Sequence, residues 1–247
     1  LNINRGGWKK AVFLGCTHGN YINWEVANKA LAFVDEYKPQ LRVHLGDAFD
    51  TAAFRAGAKG SNDESASVGD DFAAGQEFLN QYRPHLLFMG NHEDRLFTLM
   101  HHHNAITAHL AKHLVDDIRR MAAKWKAQIV EYRSIASPES WRMVGDTLVG
   151  HGFMYGENCT RDHVEMLGHK VIHAHDHKAK MQPGRIVGAL MGYSVGTLAD
   201  IPAMGYAKAR RATSAWSGGI VCGEYRDGES NWTLKILHEA KPKWVMA

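Results

Sequence analysis

Short apolar runs that end in clusters of polar, chemistry-bearing residues recur along this chain. The sharpest is LLFMGNHED at residues 86–94. Leu86 to Gly90 read as a buried strand, and Asn91, His92, Glu93 and Asp94 follow in immediate succession. Four such side chains have no packing rationale there, so the strand is read as delivering them to the rim of a sheet. Ala11 to Leu14 form a first strand of the same kind, broken by Gly15 and followed by Cys16, Thr17, His18, Gly19 and Asn20. If the backbone stays extended, Cys16 and His18 point to one face. Residues 23–37 place Trp24, Ala27, Leu31 and Val34 at helical spacing, with Asn23 as cap and Pro39 closing the element. Leu41 to Leu45 make a second strand, ending in Gly46, Asp47, Ala48, Phe49 and Asp50. Strand, helix and strand from 11 to 50 predict a parallel sheet with a right-handed crossover.

Residues 51–70 carry no usable apolar period and are read as a long irregular loop beside the rim. Phe72 to Tyr82 predict a short helix before Pro84, and Arg95 to Lys126 a mostly helical stretch in which Leu96, Leu99, Met100, Leu110, Leu114, Ile118, Met121 and Trp125 fall near helical spacing. The internal run His101, His102, His103 is read as a solvated helix face, since consecutive helical residues cannot all face one metal. The second half turns β-rich. Ile129 to Tyr132, Trp141 to Val144, Thr147 to Val149 and Val171 to His173 are predicted strands, with weaker ones at Ile186 to Leu190 and Ser194 to Leu198. Gly219 to Tyr225 and Trp232 to His238 flank Asp227-Gly228 and predict an antiparallel hairpin. No linker splits the chain, so residues 1–247 are read as one domain, with a helical elaboration at about 95–126 and a hairpin at about 219–238.

Composition adjusts this picture modestly. With 247 residues and 45% apolar content, the chain can bury a full core. Lys plus Arg exceed Asp plus Glu by only 29 to 26, too little to argue for nucleic acid. Cys16, Cys159 and Cys222 cannot all pair and have no CxxC spacing, which predicts a reducing compartment or at least no disulfide framework, and a cytoplasmic setting is the expectation. No run of 18 apolar residues predicts a membrane span. LNINRGGWKK lacks the apolar core of a signal peptide, and a start at Leu1 leaves open that upstream residues were removed. The unusual feature is 16 histidines, the commonest metal-ligand type.

Five strand ends carry CTH at 16–18, GDAFD at 46–50, GNHED at 90–94, GHG at 150–152 and HAHDH at 173–177. Imidazole, thiolate, carboxylate and amide oxygen are all metal-competent, and the adjacent glycines permit tight turns or close approach. One such tip would be weak evidence; five in order are not explained by core histidines or solvated turns. The series resembles the calcineurin-like metallophosphoesterase superfamily, whose pattern is DxH, GDxxD, GNH[DE], a lone His often followed by Gly, and GHxH. The resemblance runs from Ala11 to about Leu198.

The resemblance implies a mixed α/β fold, a two-sheet sandwich flanked by helices. It implies two divalent or trivalent metal ions drawn from Mn, Zn or Fe, and hydrolysis of a phosphodiester or phosphomonoester by a metal-bridging hydroxide. His18, Asp47 and His177 would hold the first ion, and Asp47, Asn91, His151 and His175 the second. His92 would assist departure of the leaving group, and Asp50 would support the site by hydrogen bonding. Two positions depart from the pattern. Ala174 replaces a Gly, a tolerable change unless the turn needs positive φ. Cys16 replaces the first Asp. A thiolate ligand that biases the first site toward softer ions is the favoured reading, against an unliganded thiol that weakens the site or an engineered change.

Blander roles suit the other singled-out residues. His173 is read as a near-site or core histidine, Glu93 and Asp94 as bonding to helix amides or to Arg95, and Cys159 and Cys222 as buried small hydrophobes. GYAKARR at 205–211 is a solvated face or a phosphate-binding patch, the former preferred. The resemblance thus implies a phosphate-ester substrate, with nucleotide and nucleic acid both open. Trp216, Trp232 and Trp244 would cover a sheet edge or form a contact between copies of the chain in a homo-oligomer. The rival reading is a non-catalytic metal- or nucleic-acid-binding protein whose first metal site Cys16 has degraded.

Overall fold

The computed structural model describes residues 7–133, 137–185, 188, 190–204, 215–237 and 244–246. In chain order its first half comprises Lys9–Leu14 (β1), Trp24–Tyr37 (α1), Leu41–His44 (β2), Val68–Tyr82 (α2), Leu86–Phe88 (β3), Asn91–Leu99 (α3), Ala105–Trp125 (α4) and Gln128–Val130 (β4). The four strands pair in parallel, as the strand-helix-strand pattern requires. Trp141–Val144 (β5), Thr147–Gly150 (β6), Cys159–Leu167 (α5), Lys170–His173 (β7), Ala179–Pro183 (β8) and Met191–Val195 (β9) build a second sheet of five strands, in the order β5-β6-β7-β9-β8. Gly218–Arg226 (β10), Glu229–Leu237 (β11) and Trp244–Met246 (β12) return to the first sheet, which becomes seven-stranded in the order β12-β11-β10-β1-β2-β3-β4.

Alternation along β1 shows how the layers assemble. Ala11 and Phe13 point between the sheets, where they meet Val43, Leu45, Val149, Ile172 and Val195. Val12 and Leu14 point the other way, into the core shared with Val26, Ala30, Val34, Phe78, Leu79 and Ile118 of the helices. A smaller cluster of Trp141, Val164 and Val171 seats α5 on the outer face of the second sheet. The result is the two-sheet sandwich flanked by helices. Tyr82 is fully enclosed, and its hydroxyl donates to the carbonyls of Val12 and Val43, each at 3.1 Å, tying α2 to β1 and β2.

Several elements differ from the sequence reading. The α2 helix starts at Val68 rather than Phe72, because the Ser67 side chain accepts from the Asp70 amide and caps it. The segment before it holds short 3-10 turns at Ala52–Phe54 and Asn62–Ser65. The stretch 95–126 is two helices, and the three consecutive histidines lie in the turn between them, where Asn104 caps α4. Leu110 faces solvent while Ala111 faces the core. The β8 strand was unforeseen because Lys180 and Gln182 interrupt its apolar pattern on a sheet edge. Ile186, Val187 and Ala189 lie outside the described residues, and Gly188 between them is in a turn with φ +99°. β9 begins at Met191 and stops at Gly196, whose φ of +75° no strand continues. The segment 205–211 also lies outside the described residues. Trp232 covers no sheet edge: its indole packs edge-on against Phe13 at 5.0 Å and donates to Thr147 Oγ1 at 2.8 Å, linking the sheets. Among the described residues no helix is long and apolar enough to cross a membrane.

Candidate metal centre

The segments following β1, β2, β3, β6 and β7 meet at one rim, since each leaves the carboxyl end of a parallel strand. One group of donor atoms comprises Cys16, His18, Asp47 and His177, all buried and all within 4.8 Å of one another. A second comprises Asp47, His151 and His175 under the same limit. Asn91 joins the second group, its Oδ1 lying 3.1 Å from His151 Nε2 and 2.9 Å from His175 Nδ1. Asp47 is common to both. Its Oδ2 is 3.3 Å from His151 Nε2, 3.9 Å from His18 Nε2 and 4.0 Å from His92 Nε2.

The loops reach this arrangement by backbone conformations that side chains usually avoid. Cys16, His18, Asp47, Thr51, His175 and His177 all have φ between +51° and +69°. Each such residue costs about 1 kcal/mol or more, and such strain concentrates at functional sites. The backbone at Cys16 and His18 is therefore not extended, as the shared-face reading assumed; the two converge through left-handed turns instead. Ala174 keeps a negative φ and needs no glycine. Glycine is required where loops touch: a Cβ on Gly90 would overlap Asp47 Oδ1 and approach His151 Cε1 to 2.7 Å. Gly90→Ala is accordingly expected to lower unfolding free energy by about 1–3 kcal/mol, the usual cost of overpacking, read by denaturant titration. Wild-type stability in that variant would show that the loops are not nested so closely.

Buried hydrogen bonds hold the rim. Glu93 is fully buried and accepts from the amides of Gly90 at 2.7 Å, Phe49 at 2.9 Å and Asp47 at 3.0 Å, so it bonds to helix-start and loop amides and not to Arg95. Arg95 donates instead to the Asp50 carbonyl at 3.0 Å. Asp71, which nothing in the sequence singled out, accepts from the amides of Asp50 and Thr51 at 2.9 and 3.0 Å. Asp50 Oδ1 meets His18 Nδ1 at 2.9 Å and His92 Nδ1 at 3.2 Å, and its carbonyl accepts from His92 Nδ1 at 2.6 Å. His173 is a core histidine, bonded to Thr160 Oγ1 at 2.8 Å. Cys159 proves more than a small hydrophobe. Its thiol donates to Asp176 Oδ2 at 2.9 Å, beside a 2.8 Å ion pair from Lys180 to the same carboxylate. Asp176 Oδ1 accepts from Ser194 at 2.6 Å, so the carboxylate between His175 and His177 is anchored to α5, β8 and β9. Cys222 is buried and unpaired, as a small hydrophobe would be.

The electrostatics favour cations. Burial pushes the Asp47 carboxyl up, but the imidazoles of His151, His92 and His18 outweigh it and hold the group well below the usual carboxylate range. Burial, helped by Asp47, pushes the Cys16 thiol well above its ordinary value, so a thiolate there needs a positive partner. Tautomers make the same point. His151 Nδ1 donates to the Leu45 carbonyl at 2.7 Å, leaving Nε2 with a lone pair aimed at Asn91 Oδ1 and Asp47 Oδ2. His18 Nδ1, engaged by Asp50, likewise leaves Nε2 facing His177 Nε2 at 2.9 Å. In these tautomers the ring nitrogens converge with the Asp47 carboxylate on two points, where a cation at each cluster would meet several donors at once. The residues present therefore fit a pair of metal ions, and their donor set of imidazole, carboxylate, amide oxygen and thiol suits transition metals.

All nine sequence-predicted site residues thus lie in one assembly: seven in the two donor clusters, with His92 and Asp50 against them. Asn91 and His175 are the half-buried members, so the centre opens on their side.

Among solved structures, Vps29 from Entamoeba histolytica complexed with Zn2+ is similar at 10% identity and a TM-score of 0.46, covering 96% of this chain and 98% of that one. A predicted phosphoesterase from Streptococcus pneumoniae is similar at 12% identity and 0.38, covering 97% and 98%. The E. coli phosphoesterase Yfce is similar at 11% and 0.40, covering 96% of each chain. A comparison with the curated proteins finds no match. A family model for calcineurin-like phosphoesterases matches residues 9–179, a span that contains all five motif-bearing loops and more than half of the chain. The chain belongs to the calcineurin-like phosphoesterase family.

Proposed function

We propose that this protein is a dinuclear metal-dependent phosphoesterase, a hydrolase of phosphomonoesters or phosphodiesters. The observation that carries this reading is the sharing of Asp47 between two clusters of inward-facing donor atoms. Cys16, His18, Asp47 and His177 would hold one ion, and Asp47, Asn91, His151 and His175 the other. When bound, two such ions, drawn from Mn, Zn or Fe, would supply Lewis-acid stabilisation of the phosphoryl oxygens and activate water at neutral pH.

The chain's own residues would do the rest. His92 presents Nε2 toward the centre while its Nδ1 is held by the Asp50 carbonyl, the geometry of a proton donor to a departing oxygen. Burial opposes its charge, but Asp47 and Asp50 raise its pKa to about 9, so it holds a proton at neutral pH; cations bound at Asp47 would pull that value down. Asp50 orients both His18 and His92, and the Asp71 carboxylate fixes the Asp50 loop. The three unpaired cysteines support a cytoplasmic setting.

Turnover of p-nitrophenyl phosphate and bis-p-nitrophenyl phosphate by protein reconstituted with each metal tests the reading. Activity that needs the metal supports it; inactivity on both esters with every metal counts against it. A second reading, a non-catalytic protein with a weakened first site, rests on the buried Cys16 thiol, which accepts from the His175 amide at 3.3 Å. Cobalt substitution separates the two. Thiolate-to-cobalt charge-transfer absorption that vanishes in Cys16→Ser is the expected result, and its absence from the wild type would favour the weakened site.

A further inference from the structure

His175 and His177 have φ of +69° and +59°, so the chain enters the left-handed region on both sides of Asp176. A backbone held there twice in three residues relaxes unless something fixes it. Asp176 is buried and lies outside the two donor clusters that share Asp47. Its Oδ1 accepts from the Ser194 hydroxyl of β9 at 2.6 Å, and its Oδ2 from the Cys159 thiol of α5 at 2.9 Å and from Lys180 Nζ of β8 at 2.8 Å. Cys159, His173 and Asp176 form a further buried group of donor atoms within 4.8 Å of one another. The Lys180 ammonium lies against two of the three, at 3.3 Å from Cys159 Sγ, so the chain supplies this cluster with its own cation. Lys180 Nζ also donates to the Glu157 carbonyl at 3.1 Å, in the loop that leaves His151 and enters α5 at Cys159. Lys178 and Gln182 bond the Gly156 and Glu157 carbonyls of that loop, each at 3.2 Å, but neither side chain also bonds the Asp176 carboxylate.

We infer that Lys180 and Asp176 are positioning residues of the metal centre. Their ion pair joins the loop after His151 to the turn that carries His175 and His177, and so sets the spacing of the His151 and His175 rings, whose centroids lie 5.2 Å apart. The inference rests on the dinuclear phosphoesterase reading, since it takes both histidines as ligands of one ion. Groups that orient metal ligands from behind set affinity almost as firmly as the ligands do, and losing one typically weakens metal binding by ~10- to 100-fold.

Zn2+ and Co2+ dissociation constants, measured by competition with a chromophoric chelator, test this beside denaturant titration of the metal-free protein. Lys180→Met keeps the stem but strands a buried carboxylate, so it should lose metal-free stability as well as metal affinity. The double variant Asp176→Asn/Lys180→Met removes both charges and is the decisive one. It should regain metal-free stability yet still bind one of the two ions about 10- to 100-fold more weakly, with altered Co2+ d–d absorption. Ser194→Ala, which removes only one hydrogen bond from Asp176, serves where the double variant folds poorly, and should weaken that ion by about 2- to 10-fold. If these variants keep wild-type dissociation constants and the wild-type Co2+ spectrum, or if metal affinity returns together with stability in the double variant, the pair is merely structural and the inference is overturned. If the wild type itself binds no metal, the dinuclear reading beneath it fails as well.

Discussion

Asp47→Asn is expected to abolish metal-dependent turnover while leaving the fold intact. Asn tolerates the left-handed backbone at this position, where φ is +53°, better than most residues. The amide of residue 47 still donates to Glu93, so the loop keeps its anchor. What disappears is a negative charge, 1% exposed, that faces three imidazoles and belongs to both donor clusters. Each ion would lose its shared anionic ligand. Lewis-acid stabilisation is worth several kcal/mol, and each ~1.4 kcal/mol is tenfold in rate, so kcat/KM should fall by about 10³-fold or more. The stabilisation conferred by metal should fall with it. A site held at about 1,000 times its Kd adds ~4 kcal/mol in the wild type, and thermal unfolding with and without metal reads how much of that is lost. A variant that keeps both its rate and its metal-induced rise in Tm would show that Asp47 is not the shared ligand.

His92→Gln should give a different signature. Both ions should stay, because His92 groups with His18 and Asp50 and lies outside the two clusters that share Asp47, yet kcat should fall by about 10²- to 10⁴-fold, the range for a positioned general acid. The loss should be larger for alkyl esters than for p-nitrophenyl esters, whose leaving group departs with little need of a proton. The pH profile supplies a second readout. The acid form of His92 is raised by Asp47 and Asp50 against the effect of burial, present below its pKa and lost as pH rises through it. Wild-type kcat should therefore decline on the alkaline side, and that limb should vanish in His92→Gln. An equal loss for all leaving groups with an unchanged profile would assign His92 a merely structural role.

Much of this was legible in the sequence because strand ends punctuated by glycine carry the chemistry. The apolar runs ending at Leu14, Leu45, Met89, Val149 and Ile172 located five loops on one rim, and the donor types within them marked the side chains that converge there. What stayed hidden depends on tertiary contact. Asp71 caps the Asp50 loop from 20 residues away or more, and Thr197 reaches Cys16 across 181 residues, so no local pattern marks either. The left-handed turns at Cys16 and His18 were missed because alternation assumes an extended chain. Cys159 looked apolar until Asp176 and Lys180 were placed beside it. The early start of α2 went unseen because Gly69, Asp70 and Asp71 are poor helix formers, favoured here only by the Ser67 cap and their position in the first turn.

The most direct test is the number of metal ions per chain, measured by elemental analysis on protein loaded with Mn, Zn or Fe and freed of excess. Two ions in the wild type, one in Cys16→Ala and two again in Cys16→Asp are the expected results, placing the thiol among the ligands of the first ion. One ion or none in the wild type, rising to two only in Cys16→Asp, would contradict a dinuclear centre in this chain and leave the non-catalytic reading in its place.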